Sequence, residues 1–420
     1  MSSTMNATLT ARLKSLFQHD AGKSPVLFDR WLAGLTVLLL ALGILMVASS
    51  SLPFAMERNG NGFYFVLRHL VYLSIGGAFA AVVLTRPSTD WQKIAMHLLV
   101  ACLVMLVLVL ILGREINGAK RWLGAGVFTV QVSELAKLFV IIYLADYLQR
   151  RNELLRTRFE GFFRPLLILG FTAFLLLLEP DYGASVVIMA TCLAMMFLAG
   201  AKVWQFAALC LVAGSVLAVV ALSAEYRLAR LKTFLDPWAD PYGSGYQLTQ
   251  SLIAFGRGEW WGQGLGNSLQ KLAYLPEAHT DFVFAVFAEE FGLVGVAVVL
   301  TLFALLVLRI LRVAQLALKA EMAFSAYACV GIATWFALQA LINIGVASGA
   351  LPTKGLTLPF ISYGGNALIV TVVAIAFVLR VDFERRLRAG VGRNVRPERL
   401  RQSVGADNVS NNATAEEVPS

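Results

Sequence analysis

Apolar residues in this chain fall into ten long blocks, near 31–51, 66–85, 94–112, 132–149, 165–178, 183–199, 203–223, 283–308, 323–347 and 361–380. An α-helix needs about 20 such residues to cross the hydrocarbon core of a bilayer. In lipid the backbone must satisfy its own hydrogen bonds, so a chain of such blocks folds as a helical bundle. The expectation is an all-α integral membrane protein of about ten transmembrane helices, with a large extracytoplasmic loop between helices 7 and 8. Composition agrees, since 15% charged residues are too few to cover a soluble domain of 420 residues.

The net charge of +9 is spread over short connections and both tails. It forms no basic patch interleaved with aromatics, so it does not point to nucleic acid. One alternating set of connections is rich in Lys and Arg, with Arg150, Arg151, Arg156, Arg158 and Arg164 in a single loop, and both tails belong to it. The positive-inside rule then places both termini in the cytoplasm and the segment 224–282 outside. A cytoplasmic tail, 1–30, precedes a membrane domain at 31–388, and the polar stretch 389–420 is expected to be a disordered cytoplasmic tail. No signal-peptide pattern opens the chain, so the first span is expected to remain as an anchor. Cys102, Cys192, Cys210 and Cys329 lie inside apolar blocks without a C-x-x-C pair and read as small hydrophobes.

The segment 224–282 is longer than a passive connector. Its aromatics, among them Trp238, Tyr242, Trp260, Trp261 and Tyr274, favour short helices lying on the membrane surface. Those rings suit either interfacial anchoring or stacking on sugars. Gly262, Gly264 and Gly266 imitate a nucleotide loop, but no strand precedes them and no second Rossmann half follows. The chain also lacks a P-loop, so no nucleotide cofactor is expected.

Three charged groups carry the chemistry. Glu134 and Lys137 share one helical face in the fourth span. An ionised group there costs about 2.5–3.5 kcal/mol unless it is paired or lines a cavity. With Asp181 they are expected to form a structural ion cluster, Glu134–Lys137–Asp181, holding the fourth span to the fifth and sixth. Arg121, in Asn117-Gly118-Ala119-Lys120-Arg121-Trp122, reads equally as an interfacial anchor or a phosphate ligand. The run Leu275-Pro276-Glu277-Ala278-His279-Thr280-Asp281-Phe282 brings two carboxylates and an imidazole to a helix start, with Glu289 and Glu290 further down. Asp281 is there either a helix cap or a general base.

These segments, with Pro180-Asp181-Tyr182-Gly183, Phe234-Leu235-Asp236-Pro237-Trp238, Leu351-Pro352-Thr353-Lys354-Gly355-Leu356 and Pro359-Phe360-Ile361-Ser362-Tyr363-Gly364-Gly365, resemble the SEDS family (shape, elongation, division and sporulation) over residues 30–388. Tyr274 through His279 and the pair Thr353-Lys354 resemble its division-type branch. Glu179 and Asn366 depart from the family's usual Gln and Ser. The resemblance implies a bacterial peptidoglycan glycosyltransferase of the inner membrane, polymerising lipid II at the division septum. It implies Asp281 as the base of an inverting transfer that releases undecaprenyl pyrophosphate. Arg121, Lys354, Arg257 and Lys271 are then candidate pyrophosphate ligands, with Glu277 and His279 orienting Asp281 or the acceptor. A divalent cation, Mg or Mn, is a candidate cofactor. Implied partners are a class B penicillin-binding transpeptidase, FtsI, and FtsQ, FtsL, FtsB and FtsN. A lipid II flippase and a division scaffold are the rival readings.

Overall fold

The computed structural model describes residues 28–410 apart from 117–118, 126–127, 206, 209–210, 212–213, 216–233, 273 and 354. Three helices come first: α1 (Arg30–Asn59), α2 (Tyr64–Thr85) and α3 (Ser88–Leu112). A small sheet of β1 (Arg114–Ile116), β2 (Ala119–Ala125) and β3 (Phe128–Gln131) follows, then α4 (Val132–Arg150), the short α5 (Asn152–Thr157), α6 (Phe159–Leu178) and α7 (Tyr182–Leu198). The chain closes with α8 (Tyr246–Gly258), α9 (Val283–Lys319), α10 (Ala323–Ala347) and α11 (Gly365–Ser410).

Nine of the ten expected blocks coincide with a helix in this list, and the block 203–223 lies largely outside the described residues. Among the described residues seven helices are long and apolar enough to cross a membrane. The protein is thus a multi-pass membrane protein. Helix α7 falls short of that length at 17 residues, and α4 is diluted by Glu134, Lys137 and Asp146. Helix α11 passes the composition break at 389, and residues 411–420 lie outside the described ones.

A small sheet accompanies the expected helical framework. Its strands pair antiparallel in the order β1-β2-β3, with Trp122 opposite Gln131 and Leu123 opposite Val130. This hairpin bridges the end of α3 and the start of α4, so it caps the bundle where both helices emerge. Asp29 fastens another corner. Its carboxylate accepts from the amides of Trp31 and Leu32 as a helix cap and also pairs with Arg309 of α9.

Helix α9 carries the feature that docks the long loop. Gly292 interrupts it with φ 65° and ψ −169°, a conformation open essentially to glycine alone. The break frees two donors and two acceptors of the helical ladder, and the loop takes up all four. Leu293 N and Val294 N donate to Glu259 O and Trp260 O, while Gln263 N and Gly264 N donate to Glu289 O and Glu290 O. Loop backbone is thereby inserted into the helix with its polar groups satisfied, as low-dielectric surroundings demand. Helix α8 of the same loop packs on α9 and α10, and Ser251 Oγ donates to Ala347 O at 2.6 Å.

A Cβ at Gly292 would meet Gly262 N at 2.4 Å and Trp260 O at 2.6 Å. Gly292→Ala is therefore expected to destabilise the protein by about 2–3 kcal/mol, combining backbone strain with a clash. Thermal unfolding in detergent checks this, and an unchanged midpoint would show that the loop does not lock the kink.

Candidate active site

A cavity of about 520 Å³ lies where α2, the sheet, α4, the start of α7, the loop before α9 and the segments 355–357 and 363–367 meet. That volume suits a small-molecule or headgroup site. Its charged lining is Arg68 from α2, Arg121 from β2, Glu134 from α4, Asp181 at the head of α7, and Glu277 and Asp281 before α9. Four carboxylates and two guanidiniums thus share one cleft among apolar helices.

Asp281 sits part-buried at the edge of this cleft. Among the described residues no side chain or backbone group donates a hydrogen bond to its carboxylate, in contrast with the helix-cap reading. Burial pushes its pKa up to about 7; the negative charges of Glu277 and Asp181 add to this, and Arg121 opposes it. A carboxylate poised near neutrality can take a proton at neutral pH and is basic enough for the task. Glu277, at φ 56°, accepts from Thr280 Oγ1 and lines the cavity beside it.

Arg121 is neither a free anchor nor a free ligand. Its Nε and one terminal nitrogen donate to the carbonyls of Glu179 and Pro180 at 3.2 and 2.7 Å. The guanidinium so held still lines the cavity, fixed in orientation at the C-terminal end of α6. Beneath it Glu179 is fully buried, with both carboxyl oxygens lacking a partner among the described residues. Burial, with the negative charge of Asp181, pushes that carboxyl up to about 8 and favours its neutral form.

The expected ion cluster forms only in part. Lys137 Nζ bonds Glu134 at 2.8 Å, but its other partner is Gln339 of α10 at 2.9 Å. Asp181 instead caps α7, accepting from Ala184 N, and turns into the cavity. Its pull on a helix N-terminus outcompetes a lysine one span away.

Two candidate pyrophosphate ligands are engaged elsewhere. Lys271 Nζ is buried against Glu290 at 2.7 Å and Ser49 at 3.0 Å. Arg257 lies 3.5 Å from Glu289, which also accepts from Ser268 Oγ and the amides of Leu269 and Gln270. Neither residue lines the cavity, because each neutralises a carboxylate buried in α9. His279 is likewise a packing group. Its ring sits 4.8 Å from Phe65 and 5.3 Å from Phe54, and burial lowers its pKa. Lys354 lies outside the described residues.

Sequence reasoning missed Arg68, whose terminal nitrogens donate to the hydroxyls of Tyr64 and Tyr72 at 2.9 and 3.1 Å. An arginine in the first turns of an apolar helix reads as a snorkelling group, and only the fold turns it into the cavity. Asn366 Nδ2 closes the rim on Thr129 O at 3.0 Å. Among the described residues no group of three or more His, Cys, Asp or Glu side chains is arranged to hold a metal ion.

Fold and cleft together define a multi-pass membrane protein with an acidic, headgroup-sized site at one end of its helices. The family described as "Cell cycle protein", spanning FtsW, RodA and SpoVE, matches residues 30–387, and the chain belongs to it. It is 49% identical over 362 residues to the "Probable peptidoglycan glycosyltransferase FtsW" of Aliivibrio salmonicida, covering 86% of this chain and 90% of that protein. The protein of the same name from Legionella pneumophila is 51% identical over 362 residues, covering 86% and 92%. A chain solved in work on polymerization and crosslinking by a peptidoglycan synthase complex is 32% identical with a TM-score of 0.71, covering 86% and 99%. Rod shape determining protein RodA of Thermus thermophilus is 30% identical with a TM-score of 0.64, covering 85% and 97%.

Lys271→Met strands Glu290 as a buried, uncompensated charge and is expected to cost about 3–5 kcal/mol. The double variant Lys271→Met with Glu290→Met should recover most of that loss. Unfolding midpoints of the three proteins in detergent test the pair; equal midpoints for wild type and Lys271→Met would show that the ion pair contributes nothing.

Proposed function

We propose that this protein polymerises lipid II into glycan strands as a peptidoglycan glycosyltransferase of the division septum, with Asp281 as its general base. The observation that carries this reading is the unbonded Asp281 carboxylate, poised near pH 7 at a headgroup-sized cleft facing Arg121. Family membership and the relatives' names support the chemistry.

The 4-hydroxyl of the incoming GlcNAc attacks the anomeric carbon of the chain's terminal MurNAc. Asp281 takes the hydroxyl proton as the new C–O bond forms. The bond to phosphate breaks, undecaprenyl pyrophosphate carries away the electron pair, and the linkage inverts. One base suffices for a single inverting displacement, by analogy with inverting glycosidases. Positive charge near the leaving phosphates stabilises the transition state, a role for Arg121 and for Arg68, whose hydrogen-bond partners among the described residues are tyrosine hydroxyls. A substrate already activated as a pyrophosphate needs no nucleotide. The site belongs to the outer leaflet of the inner membrane, with both termini cytoplasmic. A class B penicillin-binding transpeptidase, FtsI, crosslinks the product, and FtsQ, FtsL, FtsB and FtsN complete the assembly. The structural neighbour from a synthase complex supports a partner of the crosslinking class.

Purified protein with its transpeptidase partner should polymerise lipid II, and folded Asp281→Asn should lose about 10²–10⁴-fold in rate, the contribution of a general base. Wild-type polymerisation by Asp281→Asn would remove the base assignment. No polymer from either protein, with lipid II crossing proteoliposome membranes, would favour a flippase.

A further inference from the structure

Helix α10 presents three polar side chains one turn apart, Trp335, Gln339 and Asn343, all buried. In a spanning helix such groups persist only where they have partners. Trp335 Nε1 donates to Gln339 Oε1 at 2.6 Å, and Gln339 Nε2 donates to Thr357 O at 2.9 Å. The same Gln339 oxygen receives Lys137, whose ammonium also lies over the Trp335 ring. One turn further, Asn343 Nδ2 donates to two carbonyls, Asp281 O at 2.9 Å and Leu356 O at 2.6 Å. The ladder therefore ends on the backbone of the proposed base.

The second of those carbonyls matters as much as the first. Leu356 follows Gly355, and a Cβ on Gly355 would sit 2.8 Å from Asp281 Oδ2. The Asp281 carboxylate thus rests against the bare Cα of Gly355. One amide group ties down both the residue that bears the carboxylate and the segment that forms its wall. Asn343 is 2% exposed, and its Oδ1 has no partner among the described residues. That unmet acceptor has a stability cost, which an apolar residue at this position would avoid.

We propose that Asn343 is a positioning residue, whose side-chain amide fixes the backbone of Asp281 against the segment 355–357 and so aims the carboxylate into the cavity. The inference rests on Asp281 being the base. Placement matters at this scale, since a shift of about 1 Å in a reacting group costs up to about 10²-fold in rate. It also maintains the burial that, with Glu277, Asp181 and Arg121 as the charged neighbours, sets the basicity of Asp281.

The test compares lipid II polymerisation by wild type, Asn343→Leu and Asp281→Asn, each full-length with its transpeptidase partner, from about pH 5 to about pH 9. Asn343→Leu is expected to fold, to lose about 10–100-fold in kcat with KM within about twofold, and to shift its acid limb to lower pH as water reaches the loosened carboxylate. A merely structural role would reduce only the folded fraction, leaving the limb where wild type has it, and that result overturns the proposal. So does a folded variant with wild-type kcat. Should Asn343→Leu not fold, Gly355→Ala displaces the same carboxylate directly, since its Cβ would lie 2.8 Å from Asp281 Oδ2. It is expected to reduce kcat similarly at an unchanged melting temperature, and a wild-type kcat there overturns the proposal. Wild-type rates from Asp281→Asn would remove the base itself, whereas an inactive Asp281→Asn beside an unaffected Asn343→Leu removes only the positioning role.

Discussion

A charge held inside a membrane-spanning body must be paired or face water, and the arrangement of this protein follows from how each of its buried ions meets that demand. Lys137, 1% exposed in α4, is met by Glu134 and Gln339. Glu290 is met by Lys271 and Ser49, and Glu289 by Ser268, two backbone amides and Arg257. These pairings join α4 to α10 and the long loop to α9 and α1. The break at Gly292 extends the same logic to the backbone, since the helix surrenders four hydrogen-bonding groups and the loop restores all four.

Within that frame Asp281 and Glu179 stand apart, as carboxylates without a hydrogen-bond donor among the described residues. Glu289 and Glu290 are buried more deeply than Asp281, yet each accepts from a hydroxyl and faces a cation. Asp281 has no such donor among the described residues, so desolvation goes uncompensated and its proton affinity rises. The difference separates the paired carboxylates of α9 from Asp281, which, unlike Glu179, lines the cavity. Arg121 moderates the effect from across the cavity, held in place by the carbonyls of Glu179 and Pro180. Basicity and positive charge are both fixed before any substrate enters, which is how electrostatic catalysis avoids reorganisation in the transition state.

Most of the helical framework was legible in the sequence, because block length and hydropathy report directly on spans. The sheet was not. Its strands are three, seven and four residues long, β2 contains Gly124, and only the four residues of β3 alternate. In the site, Asp281, Glu277 and Arg121 stood out as charges where an apolar chain should have none. Local spacing failed wherever partners come from distant segments. Lys137 finds Gln339, 202 positions away, rather than Asp181. Lys271 finds Glu290 and Ser49 rather than phosphate. Arg68 and Asn343 are single polar residues in apolar helices, and only tertiary packing shows that one faces the cavity and the other holds the Asp281 backbone.

The most direct test of the account is the pH dependence of lipid II polymerisation by the wild-type enzyme and by Glu277→Gln. Asp281 acts as a base only when ionised, so the rate should rise with pH through about 7 and level off above it. Removing the negative charge of Glu277 lowers the pKa of Asp281, so the rise should move to lower pH in that variant. A limb in the ordinary carboxylate range, near about pH 4, or one indifferent to Glu277, would contradict a buried Asp281 acting as the base.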